Sequence, residues 1–239
     1  MLARFAEKRG ISYTLLSDIG SKVIERLGLL NQHLAEQSAY YGVQPRDHHV
    51  GTPYPGTFVL DGNGIIVDKQ FEQSYRVRPT STALLEELGG SSNLNFPTAH
   101  VAGDGVEIIA RLNSATYYPY QKLLLGVDVR LAPELHVYGR PISDDYTPVD
   151  VTVEPLEGLD VATLDLPAPR LKAVGGLDEL FPIYEGSLHA TLPLLLTKNH
   201  GETNLAVNIR YQACSDTLCF PPKEVTLTLT LAGEDNVRD

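Results

Sequence analysis

NLAVNIRYQACSDTLCFPP, residues 204–222, is the stretch on which the reading of this sequence turns. It holds a strand-like run, NLAVNIRYQ, a short polar spacer, and Pro221 and Pro222 ahead of a second run, EVTLTLTLA, in which Val225–Leu231 alternates apolar and polar residues with the period of a strand. The chain's only two cysteines, Cys214 and Cys219, flank the spacer SDTL. Between two strands such a spacer is a turn, and a hairpin sets opposite residues about 4.5–5.5 Å apart at Cα, within disulfide reach. Closing so short a loop stabilises by only about 2 kcal/mol in the chain-entropy model, so stapling is a weak reason for a bridge here. A short-loop pair at a hairpin end is accessible and reducible, and redox exchange is the functional reading. The other reading is an inert bridge or two buried thiols, since C-x4-C is not the C-x-x-C of thioredoxin-type sites.

Upstream of this stretch, from about His100, short strand-like runs recur every eight to twelve residues between Pro, Gly and Asp: VEIIARL, KLLLGVDVRL, DVTVEPL and SLHATLPLLL. That spacing predicts an antiparallel sandwich over residues 105–233, followed by a frayed polar tail, EDNVRD, at 234–239. Residues 1–92 differ in texture and predict an α/β segment. Leu2, Phe5 and Ala6 share a helical face that Gly10 ends. Ile11–Leu16 reads as a strand, and SKVIERLGLL as a helix capped by Asp18 or Ser21. TFVLDGNGIIVDKQF reads as a hairpin about Asp61-Gly62-Asn63-Gly64. Thr80 or Ser81 caps TALLEEL, and Gly89-Gly90 closes it before a linker at 93–104. The fold class expected is therefore an α+β chain of two domains, in keeping with 239 residues against a common single-domain size of roughly 100–150.

Composition narrows the function. Nineteen basic against thirty acidic residues give a net charge of -11, which repels phosphate backbones and anionic lipid, so no nucleic acid or membrane-surface partner is expected. The longest apolar run, LPLLL around Leu192–Leu196, is far short of the roughly 20 residues needed to span a bilayer, and no membrane insertion is expected. With 12 Tyr and 6 Phe the chain has the bulky side chains of a folded protein. The first twenty residues carry no basic start, apolar stretch and cleavage site of a secretory leader. They read instead as beginning inside a helix, so an upstream portion is expected. His33, Asp47, His48 and His49 make a poor metal set, adjacent histidines pointing to opposite sides of extended chain, and no metal is expected. GDG and GNG are too short to cradle phosphate.

The string LPAPRLKAV, LDELFPIYEGSLHATLPLLL, NLAVNIRYQ and YQACSDTLCFPP, covering residues 105–232, resembles the N-terminal, immunoglobulin-like domain of DsbD-type thiol:disulfide interchange proteins. The resemblance implies a disulfide that a thioredoxin-like domain reduces and that then passes electrons to partner oxidoreductases. It assigns Cys219 as the cysteine of the mixed disulfide and Cys214 as the resolving one, with Tyr211 beside the pair. The family's acidic-aromatic cap loop falls on Asp178, Glu179 and Phe181, with Phe181 as the cap residue; core packing is the other reading of Phe181. The family spacer often has five residues and here has four. The resemblance implies a periplasmic or otherwise oxidising compartment, which sits awkwardly with a start that lacks a leader; the cytoplasm stays an alternative.

FAEKRGISYTLLSDIGSKVIERLGLLN followed by YPGTFVLDGNGIIVDKQFEQSYRVRPT resembles the C-terminal half of an AhpC/TSA-type peroxiredoxin, a thioredoxin-like fold. It would place Pro55 beside the family's active site and Arg76 or Arg78 at its thiolate-stabilising arginine. The family's P-x-x-x-T-x-x-C segment is missing and residues 1–92 contain no cysteine, so no peroxidase activity is expected from this chain alone. A fold of this kind lacking its central strand exposes apolar sheet edge, which predicts marginal order before residue 95 or association, with itself or a partner. The expected function is thiol–disulfide exchange through Cys214 and Cys219 with thioredoxin-like partners and no cofactor. The alternatives are a non-redox interaction module and a fragment of a peroxidase whose catalytic cysteine lies upstream.

Overall fold

Two compact units, Met1–Val77 and Arg78–Asp239, make up the chain, in a computed structural model that describes residues 2–40, 44, 50–72, 74, 77–80, 85, 96–173 and 179–235.

The first unit holds helices α1 (Leu2–Arg9), α2 (Lys22–Arg26) and α3 (Leu34–Tyr40) and a hairpin of β1 (Gly56–Leu60) with β2 (Ile66–Phe71). Gly10 ends α1 as its position predicts: it takes φ +62°, and the Ile11 amide donates to the Ala6 carbonyl at 2.9 Å. Of the two capping candidates for α2, Asp18 serves, its carboxylate accepting from the Val23 amide at 2.9 Å and the Ile24 amide at 3.0 Å. Ser21 turns its hydroxyl to the Gly51 carbonyl instead. In the hairpin turn the Asp61 carboxylate accepts from the Asn63 and Ile65 amides, both at 2.9 Å. Those amide bonds, Ile65 first, hold the Asp61 carboxyl below the usual carboxylate range. Ile11–Leu16 is not a strand. Alternation makes a strand only where a neighbour takes up the backbone donors and acceptors, and here Tyr13 and Leu16 are 69% and 87% exposed. The helix expected over TALLEEL lies outside the described residues except for Leu85, which is helical.

The second unit is all-β. One sheet runs β10 (Leu159–Val161), β13 (Ser187–Leu196), β7 (Gln121–Leu131), β5 (Val106–Leu112) and β4 (Thr98–Gly103), with β3 (Arg78–Pro79) parallel to β7. The second runs β6 (Thr116–Tyr117), β16 (Lys223–Gly233), β14 (Glu202–Tyr211) and β9 (Asp150–Val153). Every other residue of the long strands is buried, as the period-2 sequence predicts: Val127 and Val129 on β7, Leu192 and Leu194 on β13, Val207 and Ile209 on β14, Leu229 and Leu231 on β16. These side chains from both sheets share one core, the arrangement of an immunoglobulin-like sandwich. Burying each such Val, Leu or Ile is worth roughly 1.5–3 kcal/mol. The register is long where the core is thickest, from Ser187 opposite Arg130 to Leu195 opposite Lys122, and from Glu202 opposite Ala232 to Tyr211 opposite Lys223.

The third sheet is small and carries the cysteines: β11 (Arg170–Ala173), β12 (Leu180–Glu185), β8 (His136–Tyr138) and β15 (Ala213–Cys214). The expected order, a partial α/β segment and then an all-β sandwich, is the order observed. Within the stretch read as a linker, Thr98–Gly103 is an edge strand paired along its length with β5. An edge strand buries little, so its composition does not announce it.

Candidate functional site

At Tyr211 the chain leaves β14, and Gln212 carries it across to β15. The Gln212 side chain is tied on both sides, accepting from the Thr147 amide and donating to the Phe220 carbonyl, each at 3.1 Å. β15 then pairs with β8, Ala213 opposite Val137 and Cys214 opposite His136. The spacer is the turn its composition predicts. The Ser215 amide donates to the Leu218 carbonyl at 2.7 Å, and the Ser215 hydroxyl oxygen accepts from the Thr217 and Leu218 amides at 3.3 and 3.1 Å. This returns Cys219 opposite Cys214, with Cα atoms 4.0 Å apart and the sulfurs joined in a disulfide.

The two sulfur-bearing residues differ in access. Cys214 is fully buried, whereas Cys219 is exposed on the outer limb of the turn beside Leu218, itself 58% exposed. Cys214 packs in a second apolar cluster with Tyr138, Phe181 and Ile183, bordered by Ile142 and Tyr146. Three aromatic rings of this cluster lean on one another, Tyr138 on Tyr146 at 4.8 Å between centroids and Tyr146 on Phe181 at 5.2 Å. The Tyr138 hydroxyl lies 3.6 Å from the Cys219 sulfur. A disulfide sulfur has no proton, so the phenol is the donor. Burial first, and the neighbouring Tyr146 second, push the Tyr138 phenol above its ordinary range, which keeps that proton in place. His136, two residues earlier on the same face of β8, sets its ring 5.4 Å from that of Tyr138.

The residues singled out by sequence are distributed as follows. Cys214, Cys219 and Phe181 come together, but Phe181 sits on strand β12 rather than in a loop, 5% exposed and packed against Tyr138 and Tyr146. Glu179 is exposed just before that strand, and Asp178 lies outside the described residues. Tyr211 is buried in the main core, not in the cluster around the disulfide. Pro55 belongs to the first unit, where its carbonyl accepts from the Glu72 amide at 2.9 Å. Arg78 belongs to the second, as half of β3, and Arg76 lies outside the described residues. Among the described residues no three His, Cys, Asp or Glu side chains cluster as metal ligands would. His33 pairs with Glu36 at 3.1 Å; Asp47, His48 and His49 lie outside the described residues. Sequence reasoning missed Tyr138 and His136. The one signal for them is the β-prone triplet HVY, isolated between Pro133 and Pro141.

The sequence profile described as thiol:disulfide interchange protein DsbD, N-terminal, matches residues 110–231, a span that includes both cysteines, Tyr138 and Phe181. That of the AhpC/TSA family matches residues 1–69. Among solved structures, the N-terminal periplasmic domain of ScsB from Proteus mirabilis is 15% identical with a TM-score of 0.43, the alignment covering 56% of this chain and 51% of that one. The chain thus spans about half the length of that ScsB structure. The reduced form of the Neisseria meningitidis DsbD N-terminal domain is 16% identical with a TM-score of 0.34, over 58% of this chain and 86% of that one. A yeast GGA1 GAE domain is 13% identical with a TM-score of 0.31, over 56% and 97%. No curated protein matches the chain.

Proposed function

The chain belongs to the family of the thiol:disulfide interchange protein DsbD N-terminal domain, and on that premise we propose that its second unit exchanges electrons with protein thiols through Cys214 and Cys219. The observation that carries the reading is the asymmetry of the pair, Cys219 exposed and Cys214 fully buried. A thiolate from a partner protein has a path to the Cys219 sulfur and none to that of Cys214. Attack there forms a bond between the partner and Cys219, breaks the intramolecular bridge, and releases Cys214 as a thiolate. A second partner thiol then displaces Cys219, leaving the partner oxidised and this chain a dithiol. Run in reverse, the Cys219 thiolate attacks a partner disulfide and Cys214 resolves the mixed disulfide.

The surroundings support these roles. Tyr138 donates to the Cys219 sulfur, a hydrogen bond that strengthens as that sulfur gains negative charge. Leu218 and Leu180, each 58% exposed, supply apolar surface near the two ends of the cysteine cluster for a thioredoxin-like partner. Phe181 serves as a wall of the cluster, limiting water and small thiols on the Cys214 side. The ScsB domain is described as periplasmic, and an oxidising compartment of that kind, where a disulfide persists, is the setting proposed for this chain.

Equilibration against glutathione tests the function. A reduction potential between about -270 and -120 mV, the span of known exchange proteins, is expected. A value below about -300 mV is that of a structural disulfide and would make the sandwich an interaction module with a stapled turn.

A further inference from the structure

We propose that His136 is the proton acceptor for the Cys214 thiol when Cys214 resolves a mixed disulfide held on Cys219. The inference rests on the exchange reading above and adds to it a group that the sequence did not single out.

The argument begins with register. Across the small sheet, Glu185 lies opposite His136, His136 opposite Cys214, and Cys214 opposite Cys219. Directly opposed residues of antiparallel strands project from the same face, with Cβ atoms about 4.5–5.5 Å apart. His136 is 2% exposed and Cys214 0%, so neither side chain can turn to solvent. In the disulfide state the His136 Nε2 atom is buried without a hydrogen-bond partner among the described residues. Such an orphan carries a cost and calls for a use. Reduction supplies one, because the Cys214 sulfur then gains a proton to donate.

The electrostatics agree. Groups facing the ring are Glu185 from β12, Lys172 from β11, Asp216 from the turn, Tyr138 on its own strand and Cys214 from β15. Burial, and after it Lys172, lower the His136 imidazole below its ordinary value, while Asp216 and Glu185 pull the other way. At neutral pH the ring is therefore neutral and holds a free lone pair. Charging a fully buried sulfur with no acceptor at hand is unfavourable. With the imidazole beside it the Cys214 thiol passes its proton to Nε2, and the resulting thiolate attacks the Cys219 sulfur. The intramolecular disulfide forms and the partner sulfur leaves as a thiolate. The imidazolium then gives its proton up to the solvent, and in the opposite direction the neutral ring must first take one up before it can protonate the departing Cys214.

The whole reduced chain reacted with excess 5,5′-dithiobis(2-nitrobenzoate) in a stopped-flow instrument separates the steps. Cys219 displaces the first thionitrobenzoate, and Cys214 displaces the second as the bridge closes. In the unsubstituted chain the second phase is expected to be level with pH above the His136 titration. In His136→Phe it is expected to slow at least tenfold more than the first phase and to rise about tenfold per pH unit, as an unassisted thiol ionisation does. His136→Gln, which keeps a polar side chain but cannot take the proton, should match His136→Phe. A second phase that rises about tenfold per unit from roughly pH 6 to pH 9 in the unsubstituted chain overturns the proposal, and does so even if neither variant folds. So does a variant whose second phase keeps pace with its first. A reduced chain that shows no first phase fails earlier and overturns the exchange reading itself.

Discussion

Apolar residues are treated in opposite ways by the two units of this chain. In the sandwich, Ile209 is fully buried and Leu229 and Leu231 are 1% exposed, each facing a second layer. In the first unit, Leu16 is 87% exposed, Ile19 85%, Val23 55% and Phe5 49%, and among the described residues only Ser38 and Val77 are buried. Local structure is well formed in both: Gly10 ends a helix, Asp18 caps one and Asp61 closes a hairpin turn in the first unit, and Ser215 closes the turn between the cysteines in the second. Short-range chemistry thus reaches its expected form in either unit, while burial needs an opposing layer that the first unit does not provide from its own described residues. The sandwich has that layer, and with it a buried platform on which one cysteine is held in and the other held out.

The sharpest way to break the contrast is to truncate one isoleucine from each unit. Ile209→Ala is expected to cost about 2–5 kcal/mol in urea unfolding of the whole chain, the price of a cavity in a packed core. Ile19→Ala should stay within about 0.5 kcal/mol, as for an exposed position. An equal cost at Ile19 would mean that its side chain is covered in solution, by a second copy or by another chain. Next in size is Asp18→Ala, expected to cost about 1 kcal/mol through the amides of Val23 and Ile24 and to leave the sandwich strands unchanged in hydrogen exchange. Tyr138→Phe should leave stability nearly unaltered and slow exchange at Cys219 by about two- to tenfold, the worth of one hydrogen bond to the reacting sulfur. Smallest is the pH effect at Asp61. Its folded carboxyl is held below the range it has when unfolded, so its contribution to the hairpin is present at neutral pH and lost as acid protonates the folded form. Asp61→Asn should remove that acid-side loss, read as hairpin amide exchange between about pH 5 and pH 2.

Much of this was legible in the sequence, and the rest was not for identifiable reasons. β5, β7, β9, β13, β14 and β16 announce themselves because one face is buried and the other is not, which writes a period of two into residues such as Val225–Leu231. β8 is buried at all three positions, and β12 at four of six, so neither alternates. β15 has two residues and exists only because Gln212 redirects the chain onto β8. A disulfide is one of the readings that the spacing of Cys214 and Cys219 leaves open, because the partners are local; the spacing by itself does not exclude two buried thiols. Tyr138 is 81 residues from Cys219, and no local pattern connects them. Ile11–Leu16 failed in the other direction, since its alternation has no neighbouring strand to pair with.

The account turns on Cys219 as the sulfur that partners attack, and trapping tests it most directly. The chain carrying Cys214→Ser, mixed with a thioredoxin-like protein that lacks its resolving cysteine and carries its attacking cysteine as a thionitrobenzoate mixed disulfide, should release thionitrobenzoate and accumulate a covalent complex through Cys219 that a reductant dissolves, while Cys219→Ser should accumulate none. A complex formed by Cys219→Ser through Cys214, or none from either variant, would contradict it.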